Sequence, residues 1–158
     1  MAIGDEPPQP PAHVTGTRQK PQVTLGMPSR TRHDPDAISA RGKSRKGERN
    51  TVIEPWVDVQ ADIDAINHGE AIVDRERATA WVNGRLWGFH TDTGTAYPIR
   101  GNGVIPLTQA QHSAVRMIAG YTELNEDAER ELRMRPSLTD MDREIVRRIW
   151  RLRTRAKD

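Results

Sequence analysis

The sequence predicts the α+β class: a small antiparallel β-hairpin or three-stranded sheet packed with three to four helices, preceded by an extended amino-terminal arm. Three observations predict it. The first third of the chain is polar and rich in proline, an Asn-Gly pair joins two β-prone runs, and four later segments carry apolar residues at helical spacing. A hairpin and helices of this size bury their hydrophobic faces by packing against each other.

Residues 1–50 differ in composition from the rest of the 158-residue chain. They hold seven of the eleven prolines and nine Lys or Arg against five Asp or Glu, whereas residues 51–158 hold fifteen against seventeen. Apolar residues are too few and too irregular here to offset the entropy of ordering the backbone. We therefore predict that residues 1–50 form an extended arm, disordered when free, and that residues 51–158 form one small domain.

The hairpin is the clearest local pattern in the chain. Residues 79–89 form two β-prone runs joined by Asn83-Gly84, a pair that supplies the positive φ angles of a type I′ turn. This turn sets Trp81 opposite Leu86, and alternation sorts the side chains between two faces. The face of Trp81 and Leu86 is either covered by a helix or presented to a partner. The opposite face is the predicted core and comprises Ala78, Ala80, Val82, Trp87 and Phe89.

Two further strands and four helices complete the predicted domain. Residues 95–99 form a third strand, which is an edge strand or ends at Pro98 because proline lacks a backbone donor, and Ile72-Val73 adds a short fourth strand. The helices are predicted from capping residues and apolar spacing. They run from Val57 to His68 with Asp58 as a cap, from Thr108 to Gly120 with a capping box, from Asn125 to Met134, and from a cap at Thr139 or Ser137 to about Ala156.

Cationic residues of the arm predict contact with nucleic acid or with an acidic surface of a large assembly. Each phosphate contact releases counterions and gives an affinity that depends on salt but not on base sequence. No aromatic residues lie between the charges, so base stacking is not indicated for this segment. The alternative is a solvated, solubilising tail. The cationic residues are Arg30 and Arg32, followed by Arg41, Lys43, Arg45, Lys46 and Arg49, which lie in a stretch that we call the basic run (residues 41–49).

Partner contacts are also predicted on the domain itself. Trp81, with Leu86 on the same face, is a candidate hot spot because large aromatic side chains dominate many interfaces. Arg147 and Arg151 belong to a stripe of arginines that recurs every four residues along the last helix. They either grip phosphates or pair with acids of the preceding helix, and the second interpretation is favoured.

Four polar residues form a weak catalytic hypothesis. A metal-free nuclease uses two histidines as acid and base and an arginine to stabilise the charged transition state. His90 and His112 would take the first roles, with Asp92 and Arg100 beside them. A histidine next to a turn is more often a surface residue, and the sequence does not fix how close these side chains lie.

Several function classes lack the residues that they need. The chain has no cysteine, no phosphate-binding loop and no HExxH or GxSxG motif, so we expect no cofactor and no metal. Asp62 and Asp64 are two residues apart on a helix and cannot share an ion. No apolar run approaches about 20 residues, and the first residues do not resemble a signal peptide. These absences predict a cytoplasmic protein, or one inside a virion, without a membrane contact.

Three functions remain open. The first is a non-enzymatic accessory protein whose basic arm contacts nucleic acid or a large macromolecular assembly. The second is a protein–protein adaptor or a structural component, including one of a phage particle. The third is a small toxin-like nuclease that uses His90 and His112. The oligomeric state is left open.

Overall fold

The computed structural model describes residues 10–40, 44 and 50–153, and it has the predicted α+β class. Its main sheet has five antiparallel strands in the order β1-β3-β4-β5-β6, and β2 pairs with β7 in a second, two-stranded sheet. The strands are β1 Thr17–Arg18, β2 Val52–Ile53, β3 Ile72–Asp74, β4 Thr79–Val82, β5 Arg85–Phe89, β6 Ala96–Gly101 and β7 Val104–Ile105. The helices are α1 Arg30–His33, α2 Val59–Asn67, α3 Gln109–Ile118, α4 Glu126–Arg133 and α5 Asp140–Arg151.

The predicted hairpin is confirmed with its register. Asn83 and Gly84 have φ angles of 53° and 79°, as a type I′ turn requires, and Trp81 lies opposite Leu86. The predicted core face is buried against α2, although Ala78 is only partly buried and precedes β4 with a φ of 55°. The turn residues and the alternation therefore determine this part of the fold.

The sheet extends beyond the hairpin on both sides. The predicted third and fourth strands are β6 and β3, and β6 lies at an edge as Pro98 indicated. The hydroxyl of Thr51 donates to the Pro98 carbonyl at 2.7 Å and occupies part of that edge. At the other edge lies β1, which has only two residues and was not predicted.

Two hydrophobic clusters hold the fold together. The first lies between the main sheet and α2, and Trp87 and Phe89 are its largest fully buried side chains. The second joins α3, α4 and α5, and Ile118, Leu132 and Ile149 are fully buried in it. Side chains of the short β2 strand reach both clusters, since Ile53 belongs to the first and Val52 to the second.

The described part of residues 1–50 is packed against the domain, which differs from the predicted free arm. Leu25 belongs to the first cluster and Ile38 to the second. Asn67 of α2 holds the backbone of Leu25 with two hydrogen bonds of 2.8 and 3.0 Å. Leu25 and Ile38 each fill a gap in a cluster that later elements build, so no hydrophobic periodicity within the segment predicts their burial. Residues 1–9, 41–43 and 45–49 lie outside the described residues.

Replacing Leu25 by alanine is expected to lower the free energy of unfolding by about 2–3 kcal/mol, because the change removes buried methyl groups and leaves a cavity. Urea denaturation measures this loss. Met27, two residues later and 48% exposed, is the control, and its alanine variant should stay close to the wild type. If Leu25→Ala were as mild as Met27→Ala, the segment would be detached in solution.

The helix starts follow the predicted caps. Asp58 and Asn125 accept hydrogen bonds from the first turns of α2 and α4, and Thr108 and Thr139 form capping boxes at α3 and α5. The last helix ends at Arg151, and the predicted extension to Ala156 falls partly on residues 154–158, which lie outside the described residues. Among the described residues, the helices are too short or too polar to cross a bilayer.

Candidate functional site

The chain on either side of the basic run is fixed to the domain. Arg116 of α3 donates from Nε to the Ser44 hydroxyl at 3.0 Å and from Nη1 to the Ala40 carbonyl at 3.3 Å. Asn50 and Thr51 are buried where the chain enters β2. No residue of the run is therefore more than three positions from an anchored one. The five predicted cations themselves lie outside the described residues: Arg41, Lys43, Arg45, Lys46 and Arg49.

His112 belongs to this anchor and is fully buried in α3. Its Nε2 lies 3.2 Å from the Arg32 carbonyl oxygen, which can only accept, so Nε2 carries the proton. The other nitrogen, Nδ1, then accepts from the Ser44 hydroxyl at 2.8 Å. Burial lowers the pKa of His112, and the nearby charges of Arg116 and Arg32 lower it further. The ring is thus held neutral and serves as a structural link.

His33 is a second buried histidine that sequence reasoning did not single out. It ends α1, is 2% exposed and donates from Nδ1 to the Thr51 carbonyl at 2.7 Å. Burial lowers its pKa to about 4, with a smaller contribution from the charge of Arg32. Of the two predicted cations in this helix, Arg30 is exposed and pairs with Asp34 at 3.0 Å, whereas Arg32 is half-buried.

The structure does not bring the four catalytic candidates together. His90 is exposed at the end of β5 and its ring lies 5.2 Å from that of Tyr97. Asp92 accepts a hydrogen bond from the Thr93 backbone at 2.8 Å. Arg100 donates to His13 at 2.7 Å, and both ring nitrogens of His112 are engaged elsewhere. Among the described residues, no hydrogen bond, ion pair or ring contact joins any two of the four, so the geometry does not favour the nuclease hypothesis.

The Trp81 face is partly covered by the protein's own chain rather than by a helix. Cross-strand partners form one row over the five strands: Arg18, Ile72, Trp81, Leu86 and Arg100. Residues 10–15, which we call the strap, contact β6 through His13 and Arg100, and β3 through the Thr15 hydroxyl and the Asp74 carboxylate. The strap therefore passes over β4 and β5. Leu86 of β5, in the same row, is 5% exposed.

A hollow of about 610 Å³ remains beside Trp81, and we call it the Trp81 hollow. The indole of Trp81 is half-buried there, next to Ile72. Arg18 and Glu70 give the lining one charge of each sign. The complete lining comprises Pro10, Arg18, Ala65, Glu70, Ile72, Trp81, Val82, Asn83, Gly84 and Asn102.

The arginine stripe of α5 is largely occupied by ion pairs. Arg147 binds Glu129 of α4 through two nitrogens, the shorter distance being 2.7 Å, and also lies 2.9 Å from Glu144. The bond to Glu129 lowers the pKa of that carboxyl and raises the pKa of Arg147. Arg151 lies 3.6 Å from Glu144. Arg147 thus pairs with an acid of the preceding helix, as the favoured interpretation predicts, whereas Arg151 pairs with an acid of its own helix.

A buried polar cluster under the hairpin was not predicted. The helical spacing predicts that Asp62 points away from the core, which is wrong: its carboxylate is 1% exposed and accepts hydrogen bonds from three side chains. Arg85 binds it through Nε and Nη2 at 2.8 and 3.0 Å, Trp87 through Nε1 at 2.9 Å and Asn83 through Nδ2 at 2.8 Å. These contacts fasten α2 to the hairpin, so we assign the cluster a structural role.

The remaining findings concern metal binding and similarity to known proteins. In the described part of the chain, no group of three or more His, Asp or Glu side chains is arranged to hold a metal ion. Comparison with protein-family models, with curated proteins and with solved structures found no match.

Proposed function

We propose that this protein binds nucleic acid through the basic run and that it does so without catalysis. The observation that carries the proposal is the anchoring of Ala40, Ser44 and Asn50 around five cations and a single acid, Glu48. Cations close to fixed points have less conformational freedom to lose on binding than the same residues on a free tail. Anchoring therefore increases the affinity that each phosphate contact contributes.

Neighbouring charges of the described domain support the same surface. Arg116 forms the anchor, and its charge and that of Arg32 lie close enough to His112 to add to the lowering of its pKa, which is caused mainly by burial. Clustered positive potential attracts a polyanion and speeds its association. Some acids of the domain lie away from this surface, since Glu129 and Glu144 are bound to arginines of α5.

The decisive measurement is fluorescence anisotropy with labelled duplex and single-stranded oligonucleotides between about 50 and 200 mM salt. We expect the wild type to lose affinity steeply with salt. The combined change Lys43→Ala, Arg45→Ala and Lys46→Ala should weaken binding for every sequence and lower the slope of log K against log salt by about one for each phosphate that is no longer bound. Deleting residues 30–49 is not a suitable test, because that change also removes the buried His33 and Ile38.

A matched control removes cations from another surface. Arg130→Ala with Arg133→Ala takes two exposed, ion-paired arginines from α4 and should leave the salt slope unchanged. Losses of affinity in proportion to the number of cations removed, three in the basic run and two in the control, would mean that only net charge matters. Wild-type binding that ignores salt, or full affinity in the triple variant, would contradict the proposal.

A further inference from the structure

We propose that the Trp81 hollow receives one unpaired base of single-stranded nucleic acid. This inference rests on the proposed function and names the form of nucleic acid that the domain itself recognises. The hollow, at about 610 Å³, lies within the roughly 300–1,000 Å³ range of small-molecule sites. It is therefore large enough for a nucleotide.

Trp81 provides the stacking surface. Its indole lies at the centre of the row across the sheet and is half-buried, so the protein fixes the ring while one part of it stays accessible. Ile72, its partner on β3, extends the apolar surface into the hollow. Every base has a flat π-face, and stacking on a fixed aromatic ring contributes about 1–3 kcal/mol for each base.

Two asparagines supply the groups that read a base edge. Asn83 donates from Nδ2 to Asp62, which fixes the amide and leaves its carbonyl oxygen as a possible acceptor. The Asn102 side chain lies over Gly84 and makes no hydrogen bond to any residue in the described part of the chain. An amide offers a donor and an acceptor side by side, as a base edge does.

The charges of the lining favour a base with one phosphate over a polyphosphate. Arg18, exposed at the end of the row, can pair with a backbone phosphate. Glu70 repels additional phosphates but can accept a hydrogen bond from an exocyclic amino group. One charge of each sign therefore suits a single nucleotide of a strand, whereas a duplex keeps its bases stacked inside and cannot offer one.

The test compares Trp81 variants of the full chain on single-stranded and duplex oligonucleotides of equal length. Trp81→Leu is expected to weaken single-strand binding by about 5- to 100-fold, to leave duplex binding unchanged and to keep the salt slope. Trp81→Phe should recover most of the affinity because it retains a stacking ring. Thermal unfolding checks that both variants fold, and Asn102→Ala, at an exposed position, provides a second variant that should lose base preference.

The outcomes separate the two proposals. If Trp81→Leu binds single strands normally while the basic-run variant binds poorly, the base site is wrong and the proposed function stands. If the wild type binds no oligonucleotide, the proposed function is wrong. A titration with adenosine monophosphate followed by NMR then tests separately whether the Trp81 hollow binds a nucleotide. Absence of Trp81-dependent binding in that titration overturns the inference. Capture of a peptide instead, with no nucleotide bound, would assign the hollow to a protein partner and also overturn it.

Discussion

Replacing Asp62 by alanine is expected to lower the free energy of unfolding by about 3–5 kcal/mol. The side chain of Arg85 is 7% exposed, and this carboxylate is its main partner. The variant therefore leaves the buried guanidinium charge without its counter-ion. Among the described residues, its remaining hydrogen-bond acceptor is the Asn102 carbonyl. Trp87 loses the acceptor for its indole N–H as well. Chemical denaturation followed by circular dichroism measures the effect.

Asp64→Ala is the matched control for this experiment. Asp64 lies on the same helix but is exposed, and its carboxylate accepts only a hydrogen bond from the neighbouring Gln60 side chain among the described residues. Its removal should cost at most about 0.5 kcal/mol. The pair Asp62→Leu with Arg85→Met should recover much of the stability, because a well-packed apolar pair avoids burying charge. A single Asp62 variant as stable as Asp64→Ala would show that the ion pair is not formed.

Lowering the pH from 7 to 4 is expected to remove about 3 kcal/mol of stability through His33 alone. Its folded pKa is about 4, whereas its ordinary value is 6.5. Between these values the unfolded chain binds a proton that the folded chain does not, so stability is complete above about pH 6.5 and falls as the pH drops to about 4. His112 acts in the same direction because its pKa is also lowered.

Urea midpoints measured at intervals between pH 4 and 7 test this dependence, with His33→Gln as the comparison. The variant cannot take up a proton, so its curve should be flatter through that range even if its stability is lower throughout. Asp74, Glu129 and Asp142 have pKa values below the ordinary 3.8–4.5, so their contributions begin to be lost only below about pH 5. The slope between about pH 5 and 7 therefore reports the histidines rather than these acids. Parallel curves for the variant and the wild type would contradict the assignment to His33.

The hairpin and the helix starts were predictable because their signals are local. Asn83-Gly84 fixes a turn, and the turn fixes the register of every pair that follows. Predicting the Asp62 cluster from the sequence requires one further inference. The alternation that places Trp87 on the core face places Arg85 there too, and a buried arginine requires a carboxylate from the element packed over it. Asp62 of α2 is that partner, but the helical spacing by itself predicts that its side chain points away from the core.

The packing of residues 17–40 could not be derived in this way. Leu25, His33 and Ile38 are separated by polar residues, and each is buried by elements that lie much later in the chain. Composition predicts a segment that cannot form a core alone, but it does not show that the segment completes cores formed by other elements. The same limit applies to the Trp81 hollow, because strap contacts such as that of His13 with Arg100 join residues 87 positions apart.

The two borders of the main sheet affect how copies of this protein meet. An exposed edge strand can pair with a strand from another molecule, and repeated pairing of this kind produces fibres. Here β1 presents two residues, and β6 contains a proline whose carbonyl is already taken by Thr51. Backbone-to-backbone stacking of neighbouring copies is thereby disfavoured, and the protein should resist this route to aggregation at high concentration.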